Sequence, residues 1–149
     1  MAVIQQCALV LWGAHCDEAA AAVFISSLRA AGLRVWVVGI SGRRIAGAHG
    51  LRLQPDLTPL QALPLVAQTL CVLLPCADPW LTHLHNDPNV AALLTQAQQV
   101  QALFVISPAL AYQAKQVPDP IHLQEAVIYP HGDGLFAFAA TLAATLTNR

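Results

Sequence analysis

The sequence predicts an α/β domain: three layers, α/β/α, around a flavodoxin-like, doubly wound, mostly parallel sheet. Two observations carry this. Strand-sized apolar runs alternate with segments of helical spacing along the chain, the pattern of repeated βαβ units with helices on both faces. In addition, 56% of the residues are apolar and only 10% are charged, against about 25% in ordinary soluble domains. Such a chain has the material for strands covered on both faces. Its 149 residues suit one domain over 1–149, which would bury roughly two thirds of its unfolded surface.

The elements follow in order. Cys7 to Trp12 is continuously apolar and reads as a central strand. Asp17 or a neighbour can cap the Ala-rich helix from Glu18 to Ala31, and Gly32 stops it. Arg34 to Ile40, rich in Val, is the second strand. Ser41 to Gln54 carries Gly42, Gly47 and Gly50, which suits a hairpin or an irregular excursion. Pro55 to Pro64 is a connection with room for one helical turn, and Leu70 to Leu74 is the third main strand, closed by Pro75. Asn89 to Val100 places Val90, Leu93, Leu94 and Ala97 on one helical face. Ala102 to Ile106 is a strand, and Pro108 opens the next helix. Val127 to Tyr129 is a short strand, and Asp133 to Leu146 is the closing helix.

Composition narrows the partners. High hydrophobicity with a net charge of -1 argues against disorder. Seven scattered Lys and Arg residues form no phosphate-tracking stripe, so no nucleic acid is expected. Mean hydropathy is +0.55, yet the longest apolar runs are strand-sized, so no membrane span is expected. The N-terminus lacks a basic region followed by an apolar stretch and cleavage site, so no signal peptide is expected. The low charge instead suggests a face covered by a second copy, a homodimer or higher homo-oligomer. Cys7, Cys16, Cys71 and Cys76 show neither zinc-site spacing nor the density of a disulfide scaffold. Cys7 and Cys71 lie in strand-like runs as small hydrophobes, and a reducing, cytoplasmic location is expected.

In a sheet of this kind ligands bind beyond the carboxyl ends of the strands. The corresponding loops are Gly13 to Glu18, Cys76 to Asn86, Ser107-Pro108 and Pro130 to Gly134. They hold four of the six histidines and two of the four cysteines. His15, Cys16, Cys76, His83, His85 and His131 can be assembled on paper into a metal site, but no spacing is diagnostic and no metal is expected. Gly132 and Gly134 lack the rest of a dinucleotide fingerprint, so no cofactor is expected. Ser107, just before Pro108, fits a helix N-cap.

Five segments resemble, in order, the DJ-one/PfpI superfamily, which includes PfpI proteases, glyoxalase and deglycase-like enzymes and glutamine amidotransferase relatives. They are CALVLWGAHCDEAAAAVFISSLRAAGLRVWVVGI from Cys7, AHGLRLQPD from Ala48, VLLPCAD from Val72, ALFVISPALAYQA from Ala102, and IYPHGDGLFAFAATLAATL from Ile128. The resemblance implies a cysteine nucleophile on a strained strand-to-helix turn, a buried acid beside it, backbone amides for an oxyanion, and a histidine further on. Glu18 matches the acid. Val105 stands at the nucleophile, and Cys76-Ala77 stands where the family has Gly-Gly. Only about ten residues, Lys115 to Gln124, remain where the histidine-bearing segment belongs. Valine cannot form a covalent intermediate.

The resemblance therefore implies a degenerate member with a vestigial site at Glu18 and Val105. That reading is a non-catalytic module for small-molecule binding, regulation or assembly, with ligand contacts at Glu18, Cys76, Ala77, Ser107 and His131. In it, Val105 ends its strand beneath a pocket rimmed by Glu18, Cys76 and His131, unless Glu18 merely holds the first loop. The alternative is a protease-, amidase- or deglycase-type hydrolase whose nucleophile has moved to Cys16, Cys76 or Ser107.

Overall fold

A computed structural model describes residues 5–40, 45–76, 86–116 and 123–148. Strand β1 (Cys7–Trp12) leads into helix α1 (Glu18–Ala30), then strand β2 (Arg34–Gly39). The Gly-rich segment forms a small antiparallel hairpin of β3 (Ile45–Ala46) and β4 (Arg52–Leu53). Helix α2 (Pro59–Ala62) continues as a 3-10 helix (Leu63–Gln68) into β5 (Thr69–Leu74), so this connection is more helical than the single expected turn. Thr58 accepts from the Gln61 amide while Gln61 accepts from the Thr58 amide, a reciprocal cap that starts this stretch. Helix α3 (Pro88–Gln99), strand β6 (Leu103–Ile106), helix α4 (Pro108–Ala114), strand β7 (Val127–Ile128) and helix α5 (Gly134–Thr147) complete the order.

The main sheet runs β2-β1-β5-β6-β7 and every pairing in it is parallel. Counting only these five strands in chain order, the sequence of places is 2-1-3-4-5, the flavodoxin-like arrangement. The expected fold class is thus the observed one. Every residue of β1 is buried. From Cys7 to Leu11 successive side chains alternate between two cores, as the two-residue period of a strand requires. Leu9 and Leu11 join Val72, Leu74 and Ile106 against α3 and α4 on one side. Ala8 and Val10 join Leu73, Val105, Phe24 and Tyr129 against α1 and α5 on the other. Cys7 and Cys71 are buried and outside the disulfide, as their runs predict, and burial pushes the Cys7 thiol up.

Edge strand β2 is covered by the segment that follows the hairpin. Asp56 accepts from the Val37 amide at 2.8 Å, and Arg29 lies 3.7 Å from the same carboxylate while donating to the Val35 carbonyl at 2.9 Å. A covered edge offers no free ladder to another chain. The other edge, β7, leaves Val127 and Ile128 exposed. No helix among the described residues is long and apolar enough to cross a membrane.

Candidate functional site

The order of the sheet reverses between β1 and β5, and the crevice beyond the carboxyl ends of those two strands is where such folds place ligands. Strands β1 and β5 run side by side in parallel, so the loops leaving Trp12 and Leu74 emerge together. Cys16 and Cys76 meet there in a short antiparallel bridge and are joined as a disulfide. This corrects two expectations. The cysteines do not form four free thiols, and neither Cys16 nor Cys76 is an available nucleophile while the bond is intact. With two of the four cysteines paired, cysteine usage no longer points to a reducing location.

The turn that carries Cys16 is tight. The Cys16 amide donates to the Gly13 carbonyl at 3.3 Å, and the Gly13 amide points at Cys16 Sγ at 3.1 Å. Closing it puts His15 in the left-handed region, φ 66°, a conformation that non-glycine residues adopt sparingly. Beyond it the Asp17 amide donates to the Pro75 carbonyl at 2.6 Å. Asp17 also caps α1, accepting from the Ala20 amide at 3.1 Å.

Glu18 is buried, and its hydrogen bonds run to a segment beyond its own loop. Its carboxylate accepts from the Leu51 amide at 2.5 Å and the His49 amide at 2.6 Å, and His49 Nδ1 lies 3.0 Å away. Burial opposes its ionisation, but these donors outweigh that and hold the carboxyl below the ordinary range. Glu18 therefore anchors the β3–β4 hairpin, over thirty residues away in sequence. The approach is so close that a Cβ on Gly47 would fall within 3.0 Å of the Glu18 side chain and of Trp12. Only glycine fits there without displacement.

Val105 does not end its strand, since β6 continues to Ile106. It lies inside β6, paired with Leu73 and Val127, and has no exposed surface. Its neighbours form the apolar core under α5. A strand that continues in register through Val105 and Ile106 leaves no strained turn from which a side chain could project. Ser107 serves as the expected N-cap of α4, accepting from the Leu110 amide at 3.1 Å, and its hydroxyl donates to the Cys76 carbonyl at 2.7 Å. Ala77, His83 and His85 lie outside the described residues, as does most of the shortened segment from Lys115 to Gln124.

His131 is exposed and does not reach Glu18 or Cys76. Its Nδ1 lies 3.9 Å from Asp17 Oδ2, the oxygen that also accepts from the Tyr129 hydroxyl at 3.3 Å. The rings of Tyr129 and His131 meet edge to face, 5.9 Å apart. Burial and the Asp17 carboxylate push the Tyr129 phenol well above its ordinary value. Asp17 and Tyr129 were legible in the sequence only as a cap and a strand residue. His49 carried no signal, because its partner is set by the path of the hairpin. Among the described residues no group of three or more His, Cys, Asp and Glu side chains converges as a metal site. Cavities of about 370 and 430 Å³ open along β2 and beside Gly39 and Thr58, and among the described residues no expected site residue lines either.

No family model and no curated protein matches the sequence. Solved structures do match. DJ-1beta of Drosophila melanogaster superposes with a TM-score of 0.72 at 19% identity, over 97% of this chain and 92% of that one. A DJ-1 superfamily protein of Salmonella typhimurium, solved as a cysteine-to-alanine mutant, gives 0.70 at 21% identity, over 97% and 91%. Oxidized DJ-1 of Toxoplasma gondii gives 0.73 at 18% identity, over 95% and 91%. The superpositions cover nearly the whole of each chain, and this chain has the fold of these DJ-1 superfamily structures.

Proposed function

We propose that this chain is a degenerate, non-catalytic member of the DJ-1/PfpI superfamily that acts as a binding, regulatory or assembly module. The observation that carries the reading is Val105: at the position matching the family nucleophile, an inert side chain is sealed in a regular strand. The neighbouring groups are engaged elsewhere. Glu18 is committed to the hairpin, Ser107 to the α4 cap, and Cys16 and Cys76 to each other. A nucleophile needs both a free side chain and a base within reach, and these four side chains are held in internal bonds. Of the expected ligand contacts among the described residues, exposed His131, supported by Asp17, is the group placed to meet a small molecule.

Association with a second copy belongs to the same proposal. Helix α5 has no charged residue over its length and exposes Phe136 at 70% together with Ala137, Ala140 and Ala144. A face without charge can meet its own copy across a two-fold axis with no like-charge repulsion. A cytoplasmic location is also part of the proposal.

The test is turnover by the purified chain. Peptidase, amidase, glyoxalase and deglycase assays are expected to give rates at background. Activity that survives purification and vanishes in Ser107→Ala would replace this reading with the relocated-nucleophile hydrolase.

A further inference from the structure

We infer that Cys16 and Cys76 form a reversible dithiol–disulfide site, reduced by low-molecular-weight thiols and set across the ligand-binding end of the sheet. The inference does not depend on whether the chain is catalytic. The bond spans the crevice where the sheet order reverses, the place at which doubly wound folds receive ligands.

The backbone keeps the two sulfurs together without the bond. The Asp17 amide donates to the Pro75 carbonyl, the Ala48 amide to the Cys16 carbonyl at 2.9 Å, and the Ser107 hydroxyl to the Cys76 carbonyl. None of these contacts involves sulfur, so reduction leaves the thiols apposed and the disulfide can form again. The groups a dithiol needs are also in place. The carbonyl of Leu11 lies 3.9 Å from each sulfur and can accept from a thiol. The Gly13 amide, 3.1 Å from Cys16 Sγ, can donate to a thiolate there. Cys16 is therefore the leaving sulfur, and Cys76 is the one that carries the mixed disulfide.

The step balances. A thiolate from one thiol molecule attacks Cys76 Sγ, the bond to Cys16 breaks, and the Cys16 thiolate takes up a proton. A second thiol molecule attacks the mixed disulfide, releasing the Cys76 thiol and the oxidised thiol dimer. Two electrons and two protons pass from the thiols to the protein. Both sulfurs are buried, so attack requires opening of the turn from Gly13 to Cys16, which holds His15 in its left-handed conformation. Strain of this kind gathers at switch regions.

The experiment incubates the native, full chain with reduced glutathione or dithiothreitol, stops exchange with acid, unfolds the sample and alkylates every free thiol. Before reductant, two labels per chain are expected, on Cys7 and Cys71. After native incubation four are expected, with circular dichroism unchanged, and transfer to oxidised glutathione should restore two. Two labels persisting under native reductant, with four appearing only after unfolding, would make the bond a static staple and overturn the inference. Four labels without reductant, or reduction that cannot be reversed, would overturn it equally. Hydrolase turnover is read separately, so failure here leaves the functional reading standing.

Discussion

Breaking the Cys16–Cys76 bond should lower stability by an amount fixed mainly by the unfolded chain. The cysteines are 60 residues apart, and closing a loop of that size removes unfolded-state entropy worth roughly 4 kcal/mol at room temperature on the chain-entropy relation. The native contacts around the bond are backbone and hydroxyl hydrogen bonds that survive its loss, so little native-state change offsets this figure. Domains of this size are stable by about 5–15 kcal/mol, and the reduced chain should stay folded at room temperature. Urea unfolding of the oxidised chain, the reduced chain and a Cys16→Ala/Cys76→Ala double variant provides the measurement. The reduced chain and the double variant should agree, both unfolding at lower urea than the oxidised chain. Both should also show steeper transitions, because the uncrosslinked unfolded state exposes more surface. On heating, the loss corresponds to roughly 8–16 °C in Tm. A difference below about 1 kcal/mol would refute the reasoning, since it would mean that the bond does not constrain the unfolded ensemble.

Four further outcomes follow from the site. Glu18→Gln should destabilise the chain at neutral pH, and the gap should close on acidification. A carboxyl held below its ordinary range stabilises the fold above its unfolded value and loses that contribution as pH falls through its folded value; a gap independent of pH would refute this role. Gly47→Ala should accelerate hydrogen exchange at the His49 and Leu51 amides, because a Cβ there displaces Glu18 or Trp12; unchanged protection would show that the hairpin absorbs it. Ser107→Ala should cost about 1–2 kcal/mol through the lost α4 cap and the lost donor to Cys76, measured by urea unfolding. Val105→Cys should yield a thiol as slow to alkylate in the native state as Cys7 and Cys71, since the position is sealed in β6; rapid labelling at neutral pH would mean that the strand opens into a pocket.

The sequence by itself determined the α/β class, nearly every strand and helix, and the caps at Asp17 and Ser107. These are local properties: a covered strand reads as an unbroken apolar run, and a cap needs only a short polar side chain a few residues from the amide it satisfies. It also exposed the valine at position 105. Its place in the core follows from β6, which pairs straight through it, because register is a property of two neighbouring strands. Glu18 was legible as a buried acid, but its partners belong to a hairpin whose position depends on Gly47 passing against Trp12. The disulfide was the largest surprise, and its cause is topological. Cys16 and Cys76 each closely follow a main strand, yet 60 residues of sequence cannot say that those strands are neighbours. Only the parallel pairing of β1 with β5 sends both loops out at the same point and brings the sulfurs together.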